Sequence, residues 1–104
     1  MNRFSDRVVL ITGGGSGLGR AAAVRLASEG AKLSLVDISE AGLADSVKAV
    51  AEAAPDAEVL TVVADVSKEE DVDRYVAETI ARFERIDGFF NNAGIEGKQN
   101  LTEN

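Results

Sequence analysis

A doubly wound α/β sheet of parallel strands is the fold class this sequence predicts. Two observations carry the prediction. Short runs rich in β-branched residues alternate with stretches of helical periodicity, and nothing between successive runs reads as a hairpin. Half of the ten glycines are gathered between residues 13 and 19, where the first run gives way to the first helical stretch. Strands separated by helices pair in parallel through right-handed crossovers, which gives an expected strand order of 3-2-1-4.

Residues 7–12 (RVVLIT) are an apolar run that stops at glycine, the pattern of a buried strand. From Gly17 the chain turns to helix-forming Ala, Arg and Leu, with Leu18, Ala21, Ala22 and Leu26 expected on one buried face. Gly30 closes this helix where a left-handed cap is needed. Residues 32–37 (KLSLVD) make a second strand. Ser39 is placed to cap a second helix that turns Leu43, Val47, Val50, Ala51 and Ala54 inward and is broken by Pro55-Asp56. Residues 58–64 (EVLTVVA) form the third strand, ending at Asp65. Ser67 and Glu70 have capping-box spacing, and the helix behind them carries a stripe of Val72, Val76, Ile80 and Phe83. Residues 86–91 (IDGFFN) are the fourth strand, leading into Asn92-Ala93-Gly94, and the last ten residues read as polar loop.

Composition narrows the chemistry. The 104 residues suit one domain, and 45% apolar with 28% charged residues is a globular rather than a disordered composition. With no cysteine and no histidine, the chain has no disulfide, no thiolate nucleophile, no Cys₂His₂ zinc site and no imidazole base. Eighteen acidic against eleven basic residues, the basic ones scattered, argue against a nucleic-acid partner. The longest apolar stretch, Val8-Val9-Leu10-Ile11, is far short of a membrane span, and the first residues lack the apolar segment of a signal peptide. The expected setting is therefore cytoplasmic, without a membrane partner.

The informative segment is Thr12-Gly13-Gly14-Gly15-Ser16-Gly17-Leu18-Gly19. Glycine also fills ordinary turns, but strand, glycine turn and helix in succession favour a phosphate cradle over a plain turn. Gly13 permits the tight turn, and Gly17 and Gly19 allow close approach of backbone to a diphosphate and of helix to sheet. Ser16 adds a hydroxyl, and the helix start offers free N–H groups and a partial positive charge. No Lys-Ser/Thr pair follows, so this is not a kinase-type phosphate loop. Asp37 ends the second strand roughly twenty residues on, where a carboxylate accepts from both hydroxyls of an adenosine ribose and repels a 2′-phosphate. That favours NAD over NADP; the plainer role for Asp37 is a solvent-facing acid or a cap for the next helix, where Ser39 is the better candidate. Asp65, at the same sheet edge, is placed either to accept from the adenine amine or simply to turn the chain. Asn91, Asn92, Ala93 and Gly94 lie across the switch point from the first strand, where they could line the cofactor floor or satisfy neighbouring carbonyls.

Together these residues resemble the short-chain dehydrogenase/reductase family. Residues 12–19 match its T-G-x-x-x-G-x-G pattern, Asp37 its NAD-selecting acid, Asp65-Val66 its adenine-side pair and residues 91–94 its N-N-A-G motif. The resemblance spans the whole chain and implies a Rossmann-like fold. It also implies NAD(H)-dependent hydride transfer between an alcohol and a carbonyl, and residues 7–20 and 86–100 look most like a member acting on a cyclic diketone. The family's catalytic Ser and Tyr-x-x-x-Lys are not in the chain. The one tyrosine, Tyr75, is followed four positions on by Thr79 and falls among core positions, so it reads as packing. Residues 1–104 are accordingly expected to be the N-terminal, cofactor-binding half of such a domain, cut after the fourth strand and inactive alone. The competing reading is a stand-alone nucleotide-binding or assembly module without catalysis; a methyltransferase using S-adenosylmethionine fits the Thr12-Gly13 opening and residues 91–94 less well. A sheet ending at its fourth strand would expose Phe89 or Phe90 and a row of backbone groups, from which a homo-oligomer is expected.

Overall fold

The structure, a computed structural model, describes residues 5–92. Seven elements follow one another: β1 (Val8–Thr12), α1 (Gly17–Ser28), β2 (Lys32–Asp37), α2 (Glu40–Ala53), β3 (Val59–Val63), α3 (Glu69–Phe83) and β4 (Gly88–Asn91). The strands form one parallel sheet in the order β3-β2-β1-β4, as the alternation of strand and helix predicts. Thr12 aligns with Val36 and with Asn91, so the ends of the central strands and the loops beyond them share one edge.

Both faces of the central strand β1 are covered, which explains why it is buried at all five positions. Val9, Ile11, Leu33 and Leu35 pack with Ala23, Ala27, Leu43 and Val50 of α1 and α2. Leu10, Val36 and Val62 pack on the other face with Tyr75 of α3. Phe90 lies against the first of these clusters, whereas Phe89, on the opposite face of β4, is 53% exposed.

The helices are rotated from the faces that periodicity predicts. In α1 the buried stripe is Gly19, Ala23 and Ala27, while Leu18 is 52% exposed and Ala21 is also exposed. The smallest side chains face inward because they let α1 lie close to the glycine turn and sheet. In α2, Leu43 and Val50 are buried as expected, but Ser46 replaces Val47 and Ala51 on the inner face. In α3 the buried stripe is Tyr75, Thr79 and Phe83, with Ile80 outside. Thr79 donates its hydroxyl proton to the Tyr75 carbonyl at 2.7 Å, so the 2.7 Å bond between Thr79 and the buried Ser34 of β2 carries the Ser34 proton. Two buried hydroxyls are thereby satisfied together.

Ser39 caps α2 as predicted, its hydroxyl accepting from the Gly42 amide, and Gly30 has φ 97°. The capping box at Ser67 and Glu70 does not form. Ser67 instead donates its hydroxyl proton to Asp65 Oδ1 at 2.6 Å, and Lys68, without a side-chain bond, takes the cap position of α3. A nearer carboxylate wins the serine hydroxyl.

Asp87 fixes β4 against β1. Its Oδ2 accepts from the Val8 amide at 2.8 Å, its own amide donates to the Val8 carbonyl, and its Oδ1 is held by Arg85. The Arg85 hydrogen bond, then the Val8 amide, hold this carboxyl below the ordinary value of 3.8. A folded-state value depressed below the unfolded one favours the fold above the unfolded value, and this contribution is lost as pH falls through the folded one. Denaturation midpoints should therefore drop on acidification below about pH 4. Asp87→Asn should lower the neutral-pH midpoint and flatten that acid slope; an unchanged slope would remove Asp87 from the account.

Candidate functional site

The loop between β1 and α1 makes a sharp turn at Gly13, whose φ of 67° suits glycine. Its backbone is committed almost completely to the protein. The Gly14 amide donates to the Val36 carbonyl, the Gly15 amide to Asp37 Oδ2 and the Ser16 amide to the Gly13 carbonyl. The Gly13 carbonyl also accepts from the Ser16 hydroxyl and from Asn92 Nδ2. The Gly14 carbonyl accepts from Ser46, the Gly15 carbonyl from Arg20 Nη2 and the Ser16 carbonyl from the Arg20 amide.

Two amides of the helix itself are left over. Ser16 caps α1 by accepting from the Gly19 amide, so among the first helical N–H groups those of Gly17 and Leu18 have no acceptor among the described residues. The same turn is open: a Cβ added at Gly17 would meet nothing within 4 Å. Gly19 differs, since its Cβ would collide with the Gly13 carbonyl. One glycine is required by the fold and the other leaves room outside it. An anion seated at Gly17 and Leu18 would meet two free donors and the positive end of a helix.

Asp37 stands beside this loop, its Oδ2 bound to Gly15 and its Oδ1 accepting from the Ser39 amide at 3.0 Å. Asp37 thus joins the end of β2 to both the glycine loop and the start of α2. Gly13, Asp37, Ile38, Ala64, Asp65 and Val66 line a cleft of about 110 Å³ at the sheet edge. Asp65 Oδ1 accepts from both the hydroxyl and the amide of Ser67, bonds that hold its carboxyl below the ordinary 3.8. Ile38 is 68% exposed, and with Val66 it offers apolar walls for a flat ring. Ile38 and Ala64 were not singled out from sequence, although an exposed isoleucine directly after a strand-end acid is a usable signal.

Asn91 and Asn92 tie β4 to the loop. Asn91 Oδ1 accepts from the Thr12 hydroxyl at 2.9 Å, and Asn92 Nδ2 donates to Ser16 Oγ at 2.8 Å. Asn92 Oδ1 is buried with no partner among the described residues. Ala93 and Gly94 lie outside the described residues. Tyr75 is 3% exposed in the core under α3, where burial pushes its phenol up. A larger hollow of about 460 Å³ lies at the opposite sheet edge, between Gly30, Lys32 and Pro55, away from the glycine loop. Among the described residues there is no metal-holding cluster of His, Cys, Asp and Glu, and no helix is long and apolar enough to cross a membrane.

This chain belongs to the short chain dehydrogenase family, whose sequence profile matches residues 7–104. Levodione reductase of Leifsonia aquatica is 76% identical to it over 101 residues, covering 97% of this chain and 38% of the relative. The crystal structure of levodione reductase superposes with a TM-score of 0.83 at 74% identity, over 84% of this chain and 34% of that one. NAD⁺-bound xylitol dehydrogenase superposes at 0.79 with 34% identity, over 84% and 33%. The chain therefore spans less than two-fifths of the length of these relatives, and its parallel sheet is the Rossmann-like core they share.

Proposed function

We propose that this chain forms the adenosine-diphosphate end of an NAD(H)-dependent oxidoreductase acting on an alcohol/carbonyl pair, with a cyclic ketone or diketone as substrate. The observation that carries the reading is the pair of unpartnered amides at Gly17 and Leu18, beside the open space that Gly17 leaves. Gly13, Ser16, Gly17, Leu18 and Gly19 would hold the diphosphate. Asp37 would accept from the ribose hydroxyls with its remaining lone pairs and disfavour a 2′-phosphate by charge, while Ile38, Asp65 and Val66 would border the adenine. Asn91 and Asn92, with Ala93 and Gly94 following, would close the floor. When bound, the nicotinamide supplies the hydride chemistry.

Similarity to levodione reductase and the NAD-bound state of xylitol dehydrogenase support this choice of cofactor and substrate class. The proton step calls for a positioned acid or base, and Tyr75, walled into the core without a cationic neighbour in the Tyr-x-x-x-Lys pattern, does not provide one. The chain by itself is therefore a binding unit. Calorimetric titration should give saturable binding of NAD and ADP-ribose, weaker binding of NADP and none of S-adenosylmethionine. No NADH oxidation should occur with a cyclic diketone. Failure to bind ADP-ribose would overturn the reading, and turnover would overturn its non-catalytic part.

A further inference from the structure

The loop that offers Gly17 and Leu18 has no side chain at Gly14 or Gly15 to steady its peptide planes, which are held on their amide side by Asp37 and by the Gly13 carbonyl. Gly14 and Gly15 carry no side chain, and a glycine peptide turns over at little steric cost. If the Gly14 or Gly15 carbonyl swung toward the open side of the loop, it would present a negative dipole to any anion there. Both carbonyls are instead bound by groups from outside the loop.

Three features of α1 and α2 do this. Arg20 Nη2 donates to the Gly15 carbonyl at 2.9 Å, while its Nε donates to Ser46 Oγ at 3.1 Å. Because Ser46 Oγ accepts from Arg20, its proton is directed to the Gly14 carbonyl, at 2.6 Å. Ser46 is fully buried, and nothing else in the described structure uses it. Gly42 lets α2 come close enough: a Cβ there would lie 2.7 Å from the Gly15 carbonyl oxygen. A planar guanidinium fork, a buried hydroxyl and a bare Cα thus clamp two successive carbonyls.

We propose that Arg20 and Ser46, seated over Gly42, are positioning residues for diphosphate binding. They act through the glycine loop, holding its carbonyls away from the ligand and leaving its free amides toward it. The proposal rests on the reading that this loop takes the diphosphate of a dinucleotide.

The test compares two probes on the 104-residue chain, ADP-ribose and adenosine, by ligand-detected NMR titration, with circular dichroism confirming that each variant is folded. Arg20→Met should weaken ADP-ribose about tenfold, a loss on the scale of one charge-assisted hydrogen bond, and leave adenosine within about twofold. Arg20→Lys, which keeps the charge but not the fork, should recover part of that loss. Ser46→Ala changes no charge and should still weaken ADP-ribose about fivefold, again sparing adenosine. Equal losses for the two probes would mean general loosening of the fold and would overturn the proposal. So would a Ser46→Ala chain that binds ADP-ribose like the parent while Arg20→Met does not, because the guanidinium would then act by charge alone. If the parent chain binds adenosine but not ADP-ribose, the diphosphate reading itself falls, and the positioning role with it.

Discussion

Gly19→Ala should lower the stability of the chain by about 3 kcal/mol, the upper range for overpacking a closed site. The added methyl lands on the Gly13 carbonyl, which is held by Ser16 and Asn92 and has nowhere to retreat. Either α1 lifts from the sheet, pulling Ala23 and Ala27 with it, or the turn at Gly13 opens; both disturb the amides of Gly17 and Leu18. ADP-ribose binding should fall below detection. The matched substitution Gly17→Ala separates fold from ligand. Gly17 is helical, has open space around its Cα and no positive φ, so alanine should leave stability unchanged or raise it by up to about 1 kcal/mol. It should nevertheless weaken ADP-ribose about tenfold or more, because the methyl occupies space the diphosphate needs. Urea denaturation and titration of both variants check the contrast, and equal stability loss in the two would contradict it.

Asp37→Ala should weaken NAD by about 10- to 100-fold, the range for losing hydrogen bonds to a charged acceptor. It removes the proposed ribose acceptor and also orphans the Gly15 and Ser39 amides, so stability should fall by about 1–2 kcal/mol as well. The preference for NAD over NADP should shrink, since the charge facing a 2′-phosphate is gone. Asp37→Asn keeps an acceptor for one amide and should retain more stability than Asp37→Ala while losing most of the NAD preference. NAD binding unchanged in Asp37→Ala would make Asp37 a turn residue alone.

The sheet was legible because its determinants are local. β1 is an apolar run closed by glycine, β2 a β-rich run closed by aspartate, and Ser39 and Gly30 announce the start and end of helices through their own backbone needs. The helix faces were less legible, since a helix turns toward what it must touch. Gly19 has to lie on Gly13, and that contact rotates the whole stripe of α1 away from Leu18. Ser46 and Thr79 look like surface residues until Gly14 and Ser34 are brought to them across the chain. Ser67 followed a familiar pattern and was diverted by Asp65, two residues before it. At the site, the glycines and Asp37 stood out by type and spacing. Arg20, Gly42 and Ser46 did not, because their importance comes from the close approach of α2 to the loop rather than from their own order along the chain.

Everything proposed for this site depends on the start of α1 receiving a diphosphate. Adding ADP-ribose to ¹⁵N-labelled chain and following its amides one by one tests it most directly. Saturable shifts are expected at Gly17 and Leu18, with smaller ones at Gly15 and Ile38 and none around Gly30 and Lys32 at the far edge. A folded chain whose Gly17 and Leu18 amides stay still, or whose shifts gather around Gly30 and Lys32, would contradict it.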